Sequence, residues 1–158
     1  MRKSLRAFAA LGVLALSLTG CAKEVSYADF NAAAKAVESH PYKSCTVKGS
    51  YKAKSGDTTT DKSDINYDLA LTLGVWTPAK TADLTDAAAI AVAAFANYSA
   101  KSVTEIDGAK YYINGFKVVN GDDTEEFDKY GYITSYTTKN TKDNGDYVNA
   151  KLTFTWKD

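Results

Sequence analysis

The spacing of apolar residues changes several times along the chain, and each change marks a different predicted element. An uncharged apolar run from Ala7 to Leu18 shows no polar face at helical spacing. Apolar residues then repeat at helical spacing from about Tyr27 to Ser39. Strict alternation follows from Cys45 to Ala53 and from Ile65 to Leu73, on either side of a polar turn region at Lys54 to Lys62. The first half of the chain therefore predicts a leader, a helix and a β-hairpin.

The second half opens with an alanine-rich run from Asp86 to about Tyr98. Alanine favours a helix and offers little side-chain area, so we expect this helix to pack tightly against a sheet; a lid over a hydrophobic groove is the alternative. Short strands are predicted after it at 103–106, 110–113, 115–119, 125–127 and 132–139, and the last strand alternates from Val148 to Trp156. Gly131 marks the turn before the fifth of these strands.

The order of helix, hairpin, helix and meander predicts an α+β fold. We expect a curved antiparallel sheet of about six or seven strands, with one apolar face covered by the two helices. After position 20 the chain has 16 basic and 19 acidic residues, and this excess of negative charge argues against a nucleic-acid partner. The chain length from residue 27 to residue 158 suits a single domain.

The leader ends in a short motif. Three basic residues precede the apolar run, which at twelve residues is too short to span a bilayer and is typical of a secretory signal. It is followed by Leu18-Thr19-Gly20-Cys21, which resembles the bacterial lipobox. The resemblance implies that residues 1–20 are a signal peptide, that Cys21 carries a diacylglyceryl group and an acyl chain such as palmitate, and that residues 21–26 form a short tether.

Such an anchor would hold the domain at the extracytoplasmic face of the cell membrane, or at an outer membrane if the source is Gram-negative. Stable anchoring requires two or more acyl chains. With Cys21 acylated, Cys45 has no disulfide partner, and we expect it to be a small buried residue in a strand. The sharper alternative is a reactive thiol paired with His40, the only histidine.

Recognised catalytic motifs are missing from the sequence. It contains no glycine-rich phosphate loop, no Cys-x-x-Cys, no histidine-rich metal motif and no Gly-x-Ser-x-Gly. We therefore expect a protein that is not an enzyme, with no catalytic residues, no metal and no cofactor. The acidic groups Asp122, Asp123, Glu125 and Glu126, and Asp143 and Asp146, are interpreted as solvated turns.

A binding role rests on aromatic and apolar positions. Tyr130, Tyr132 and Tyr136 occupy alternate positions of one predicted strand, which suits either a recognition face or cross-strand packing. The order of elements and the pattern Phe-Asp-x-x-Gly-x-Ile at 127–133 resemble the half-barrel of bacterial lipoprotein and lipid carriers. That resemblance implies a groove for acyl chains beneath the second helix.

Apart from this resemblance, apolar positions of the predicted strands are the candidates for lining a groove: Leu69, Leu71, Val118, Leu152 and Phe154. The sequence thus predicts a membrane-anchored, non-enzymatic lipoprotein that binds a hydrophobic ligand or a surface protein. A carrier of lipid or another hydrophobic ligand is the alternative.

Overall fold

The structure is a computed structural model and describes residues 22–158. In that part of the chain, nine strands form one open antiparallel sheet and two α-helices accompany it. The elements in chain order are β1 Lys23–Val25, α1 Tyr27–Lys35, β2 Ser44–Ser55, β3 Thr58–Thr72, β4 Val75–Pro78, α2 Ala87–Ala96, β5 Lys110–Ile113, β6 Lys117–Asn120, β7 Asp123–Phe127, β8 Ile133–Thr141 and β9 Tyr147–Lys157. Short 3-10 helices lie at Thr81–Thr85 and Ala100–Ser102. The α+β class is confirmed, with more strands than the sequence predicted.

The strands lie in the order β1-β5-β6-β7-β8-β9-β2-β3-β4. The last strand of the chain, β9, pairs with β8 on one side and with β2 on the other. Cys45 is opposite Trp156, and Val47 is opposite Phe154. This pairing joins the N-terminal hairpin to the C-terminal meander in one continuous sheet.

Alternating residues of the long central strands supply the core. Val47 in β2 and Leu152 and Phe154 in β9 are buried, as is Leu69 in β3. Their neighbours in each strand are mostly exposed, so one face of these strands packs in the core and the other faces solvent. The alternation of apolar and polar residues in the sequence therefore predicted the buried face of these strands correctly.

Helix α1 begins at a side-chain cap. The Ser26 hydroxyl accepts a hydrogen bond from the Asp29 amide at 3.1 Å. Phe30 is fully buried and packs against Tyr111 of β5, with ring centroids 5.5 Å apart. The helix ends at Lys35, earlier than predicted, because tertiary hydrogen bonds replace its last turn: Lys101 donates to the Val37 carbonyl, and Tyr132 donates to that of His40.

Helix α2 is fixed to β3 at its first turn. The Asp86 carboxylate caps the helix by accepting from the Ala88 amide at 2.9 Å, and it also accepts from the Tyr67 hydroxyl at 2.7 Å. The Tyr67 hydrogen bond is the largest cause holding the pKa of Asp86 below its usual value. Five residues of the helix are buried: Ala88, Ala89, Val92, Ala93 and Ala96. The predicted core-packed helix is therefore present.

The two unpredicted strands form the edges of the sheet. β1 lies inside the segment expected to be a tether, and it pairs with β5 from Lys23 opposite Ile113 to Val25 opposite Tyr111. β4 pairs with the end of β3 and contains Pro78. Three or four residues are too few to show a period, and proline is tolerated at a sheet edge, so neither strand had a sequence signal.

Two sequence predictions differ from the structure. Residues 54–62 are not one long turn, since β2 and β3 stay paired to Ser55 and Thr58 and only Gly56 and Asp57 form the turn. Both faces of this part of the hairpin are exposed, so its sequence shows no alternation of apolar and polar residues from which a strand could be predicted. Residues 103–106 do not form a strand, because the Ile106 amide hydrogen-bonds to the Tyr111 hydroxyl instead of to a neighbouring strand.

Gly49 allows β2 and β9 to approach each other closely. It lies at a register shift in the pairing of β2 with β3 and has a φ of +141°. A Cβ atom added at this position would lie 1.9 Å from the backbone oxygen of Lys151. Only glycine avoids both the strained dihedral and the backbone clash.

We expect Gly49→Ala to lower the free energy of unfolding by about 2–4 kcal/mol, because the clash forces a backbone shift at the centre of the sheet. Gly56→Ala is the matched control. It also has positive φ, at +57°, but open space around its Cβ position, so we expect a loss of about 1 kcal/mol. Urea unfolding followed by circular dichroism measures both, and equal losses would contradict the role given to Lys151.

Candidate functional site

An aromatic cleft of about 350 Å³ opens at one end of the sheet. This end, called the cleft end below, is where β2 begins, β9 ends, and the β3–β4 and β7–β8 turns lie. The residues lining the cleft are Ser39, Pro41, Tyr42, Leu71, Gly74, Trp76, Ala96, Asn97, Tyr98, Ser99, Lys101, Tyr130, Gly131 and Tyr132. They come from four separate parts of the chain, which only the sheet brings together.

Aromatic rings behind and beside the cleft form one continuous cluster. Tyr42 contacts Tyr132 and Trp156, with centroid distances of 4.9 and 5.6 Å. Trp156 contacts Trp76 of β4 at 5.0 Å. His40 stacks on Tyr130 at 4.2 Å with an interplanar angle of 10°. The cluster links segments more than a hundred residues apart in sequence, as in the contact between Tyr42 and Trp156.

The β7–β8 turn is held by Asp128. One carboxylate oxygen accepts from the Tyr130 and Tyr132 amides, each at 2.9 Å, and the other accepts from the Tyr42 hydroxyl at 2.7 Å. Gly131 has a φ of +82°, and it occupies the turn position that the sequence predicted. Burial, and then the hydrogen bond to Asp128, raises the pKa of Tyr42.

The polar groups of the cleft wall are largely used within the protein. Asn97, at the end of α2, accepts from the Trp76 amide at 2.8 Å and donates to the Trp76 carbonyl at 2.9 Å. The Tyr132 hydroxyl donates to the His40 carbonyl, and Lys101 donates to a carbonyl of the α1–β2 connection. The wall of the cleft is thus held by hydrogen bonds within the domain, and tyrosine and tryptophan rings form much of its surface.

Cys45 and His40 do not form a pair. Cys45 is buried in β2, and burial raises the pKa of its thiol to about 12, as expected for an inert core cysteine. The prediction of a small buried residue in a strand is confirmed. His40 instead contacts Asp158, with Nε2 2.6 Å from a carboxylate oxygen.

The structure separates the five candidate groove residues. Four of them, Leu69, Val118, Leu152 and Phe154, belong to the buried core, and none of the four lines either cleft described here. Leu71 is half-exposed and lines the aromatic cleft. Cys21 and the lipobox lie outside the described residues.

The three alternating tyrosines do not form one ladder, which corrects the sequence prediction. β8 begins only at Ile133, so Tyr130 lies in the turn and Tyr132 makes a single bridge with Ser99. Tyr136 lies within β8 and stacks on Phe95 of α2 at 4.4 Å. The sequence did not identify the cleft aromatics Tyr42, Trp76 and Trp156. The only signal available was their position beside Pro41, the Gly74 turn and the end of the last strand.

The acidic group at 122–126 is not a set of solvated turns, because most of it belongs to β7. Asp123 accepts a hydrogen bond from the buried Thr138 hydroxyl. It lines a second cleft of about 340 Å³ at the opposite end of the sheet, together with Tyr51 and Tyr147. Alternation in β7 turns Asp123 and Glu125 toward the same face as the buried Phe127.

Glu125 lies behind the wall of the aromatic cleft. Its Oε2 atom is buried and has no hydrogen-bond partner among residues 22–158. Burial dominates and raises the pKa of Glu125 above its usual value of 4.5. The Tyr98 hydroxyl, on the cleft side, favours the charged carboxylate and by itself would lower the pKa of Glu125. A partly buried acid within a group interpreted as solvated could not be found from the sequence.

This raised pKa predicts how stability depends on pH. The folded state holds the Glu125 proton more tightly than the unfolded state, so its contribution is complete below about pH 4.5 and is lost as the pH rises through the folded pKa. We expect Glu125→Gln to gain stability relative to the wild type as the pH rises from acid to neutral. Urea unfolding at several pH values measures this difference.

Glu126→Gln is the matched control, since it removes one carboxylate from the opposite face of β7, where Glu126 pairs with Lys117 at 3.1 Å. It separates the effect of burial from that of net charge. A stability difference for Glu125→Gln that stays flat or shrinks with rising pH would contradict the prediction.

No known protein family, curated protein or solved structure matches this chain. In residues 22–158, no helix is long and apolar enough to cross a membrane. The same residues bring together no group of three side chains suited to holding a metal ion. Fold and cleft together define an α+β domain with an aromatic cleft at one end of its sheet.

Proposed function

We propose that this protein is a membrane-anchored lipoprotein whose domain binds a ligand, without catalysis, in the aromatic cleft. The observation that carries the binding role is the cleft itself, a concavity walled by tyrosine and tryptophan rings. The lipobox at Leu18 to Cys21 supports the anchor. Both features concern the same end of the molecule, because β1 starts at the cleft end two residues after Cys21.

The chemistry of the wall indicates what the cleft accepts. A volume of about 350 Å³ lies near the lower end of the range of roughly 300–1,000 Å³ for small-molecule sites. Because Asn97, Lys101 and Tyr132 are engaged in internal hydrogen bonds, we expect ring contact to supply much of the attraction. A hydrophobic ligand with a flat ring fits this surface, whether it is free or part of a larger surface molecule.

Lipid carriage is the less supported alternative. Acyl chains would need apolar space beneath α2, where Val92 and the candidate residues Leu152 and Phe154 are packed in the core. Carriage would therefore require α2 to leave the sheet and give up its Asp86 cap. Lipid that co-purifies with the protein after removal of the anchor would favour this alternative.

The anchor is tested at Cys21. We expect Cys21→Ser to abolish incorporation of radiolabelled palmitate completely and to leave an unprocessed precursor, because a serine hydroxyl cannot replace the thiol in thioether formation. Cys45→Ser is the matched control and should incorporate the label as the wild type does. Unchanged labelling of the Cys21→Ser protein would refute the anchor.

The cleft is tested with a ring probe. Both tryptophans of the chain belong to the aromatic cluster, so 5-fluorotryptophan labelling gives two fluorine NMR signals that report on it. We expect p-cresol to shift them saturably, with a dissociation constant on the order of 1 mM, and hexanol to have a smaller effect.

Tyr130→Ala should abolish the response to p-cresol, because Tyr130 lines the aromatic cleft. Tyr147→Ala should preserve it, because Tyr147 lines the second cleft at the other end of the sheet. A wild-type protein that does not respond saturably, or two variants that respond alike, would rule out the aromatic cleft as the site.

A further inference from the structure

The turn between β3 and β4 carries three apolar side chains that the rest of the domain leaves exposed. Leu73 is 99% exposed, and Leu71 and Val75 are each 50% exposed. We call these three residues the apolar hairpin tip. From Leu69 to Ala79 the chain contains no charged residue. The tip is therefore a protruding apolar surface.

Leucine is an unusual residue for the position that it holds. Thr72 pairs with Val75, so Leu73 and Gly74 form a two-residue turn, and both have positive φ, at 51° and 81°. Such turns favour asparagine, aspartate or glycine, which tolerate this backbone and are solvated. Leucine is apolar and disfavours this backbone conformation, yet Leu73 is fully exposed in the isolated domain. Contact with an apolar environment outside the domain would account for an apolar residue at this position.

The distribution of the tip residues identifies that environment. Leu71 is opposite Trp76 on the face that lines the cleft, whereas Val75 points to the other face and Leu73 lies at the apex. A protein partner docked against the hairpin would cover one face. A medium that surrounds the tip, such as the acyl region of a bilayer, contacts both faces and the apex together.

The sheet register places the tip toward the proposed anchor. β1 begins at Lys23, opposite the end of β5, and this is the same end of the antiparallel sheet as the β3–β4 turn. The two residues from Cys21 to Lys23 span at most about 7 Å of extended chain. β1 and β4 are the opposite edges of the sheet, so the anchor and the tip would support the domain on both sides of the cleft.

The charges of the strand turns favour the same orientation. The turns at the far end, 56–57, 121–122 and 142–146, contain four aspartates and one lysine. The turns at the cleft end, 73–74, 114–116 and 128–132, contain Asp128 and Lys129. The more acidic end therefore points away from an anionic membrane surface.

From these observations we infer that the apolar hairpin tip inserts into the lipid bilayer, as a second attachment beside the lipid at Cys21. This inference rests on the proposed anchor. Insertion would fix the orientation of the domain and hold the aromatic cleft at the level of the lipid headgroups.

Fluorescence labelling of the full, processed lipoprotein tests the inference. With Cys21 acylated and Cys45 buried, Leu73→Cys provides the one reactive thiol for the dye NBD. Asp57→Cys, at the turn of the neighbouring hairpin at the far end, is the matched control. Both proteins are reconstituted in vesicles of phosphatidylcholine and phosphatidylglycerol.

We expect the label at position 73 to show a several-fold rise in emission and quenching by lipids that carry a nitroxide on the acyl chain. The label at position 57 should stay in water. A label at 73 that remains in water on protein that floats with the vesicles would overturn the tip and leave the anchor intact. Protein that does not float would refute the anchor, and with it the second attachment.

A label-free measurement guards against disturbance by the dye. The same nitroxide lipids should quench the native tryptophan fluorescence of the anchored wild-type protein, because Trp76 is paired with Leu71 of the tip. Leu73→Asp should reduce this quenching several-fold, whereas Asp57→Asn should not. Equal quenching in wild type and Leu73→Asp would overturn the proposal, as would a rise in NBD emission without vesicles, which would indicate contact with a second copy of the chain.

Discussion

The pairing of β9 with both β8 and β2 is the interaction on which the rest of the structure depends. β9 is the last strand of the chain, yet it lies in the middle of the sheet, and its residues Leu152 and Phe154 are buried against those of β2. Without it, the N-terminal hairpin and the C-terminal meander would be two small sheets, each with one uncovered apolar face. The burial gained along β9 offsets the entropy lost in closing so long a loop.

The aromatic cleft follows from the same pairing. Trp156 reaches Tyr42, Tyr132 and Trp76 only because β9 ends between the start of β2 and the β7–β8 turn. Asp128 and Asn97 then satisfy the amides and hydroxyls that the crowded rings would otherwise leave unpaired. The packing of the core and the shape of the cleft therefore have one physical origin.

Antiparallel pairing also gives the molecule two different ends. The start of β1, the aromatic cleft and the exposed leucines of the β3–β4 turn share one end, while most turn aspartates and the second cleft share the other. Because every turn joins strands that run in opposite directions, this division is set by the register and does not depend on flexible loops. The start of β1, the aromatic cleft and the apolar hairpin tip are thus parts of one arrangement at the same end.

Local pattern was informative wherever one face of an element was buried. The alternation of β2 and β9, the capped helix α1, the alanine-rich helix α2 and the turn at Gly131 all follow from it. Local pattern predicted neither β1 nor β4, because both strands are too short to show a period. It also missed the exposed part of the β2–β3 hairpin, which has no face packed on the core. It was misleading for the tyrosines at 130 and 132 and for Glu125, whose surroundings come from distant segments.

The sequence by itself determined the α+β class and the buried faces of the long strands, including the position of Cys45 on such a face, because these depend on the spacing of neighbouring residues. Only the tertiary structure decided that β9 is central, that Tyr42 meets Trp156, and that one carboxylate oxygen of Glu125 is buried. Those outcomes depend on which strands pair, and strand partners are selected by the packing of residues far apart in the chain.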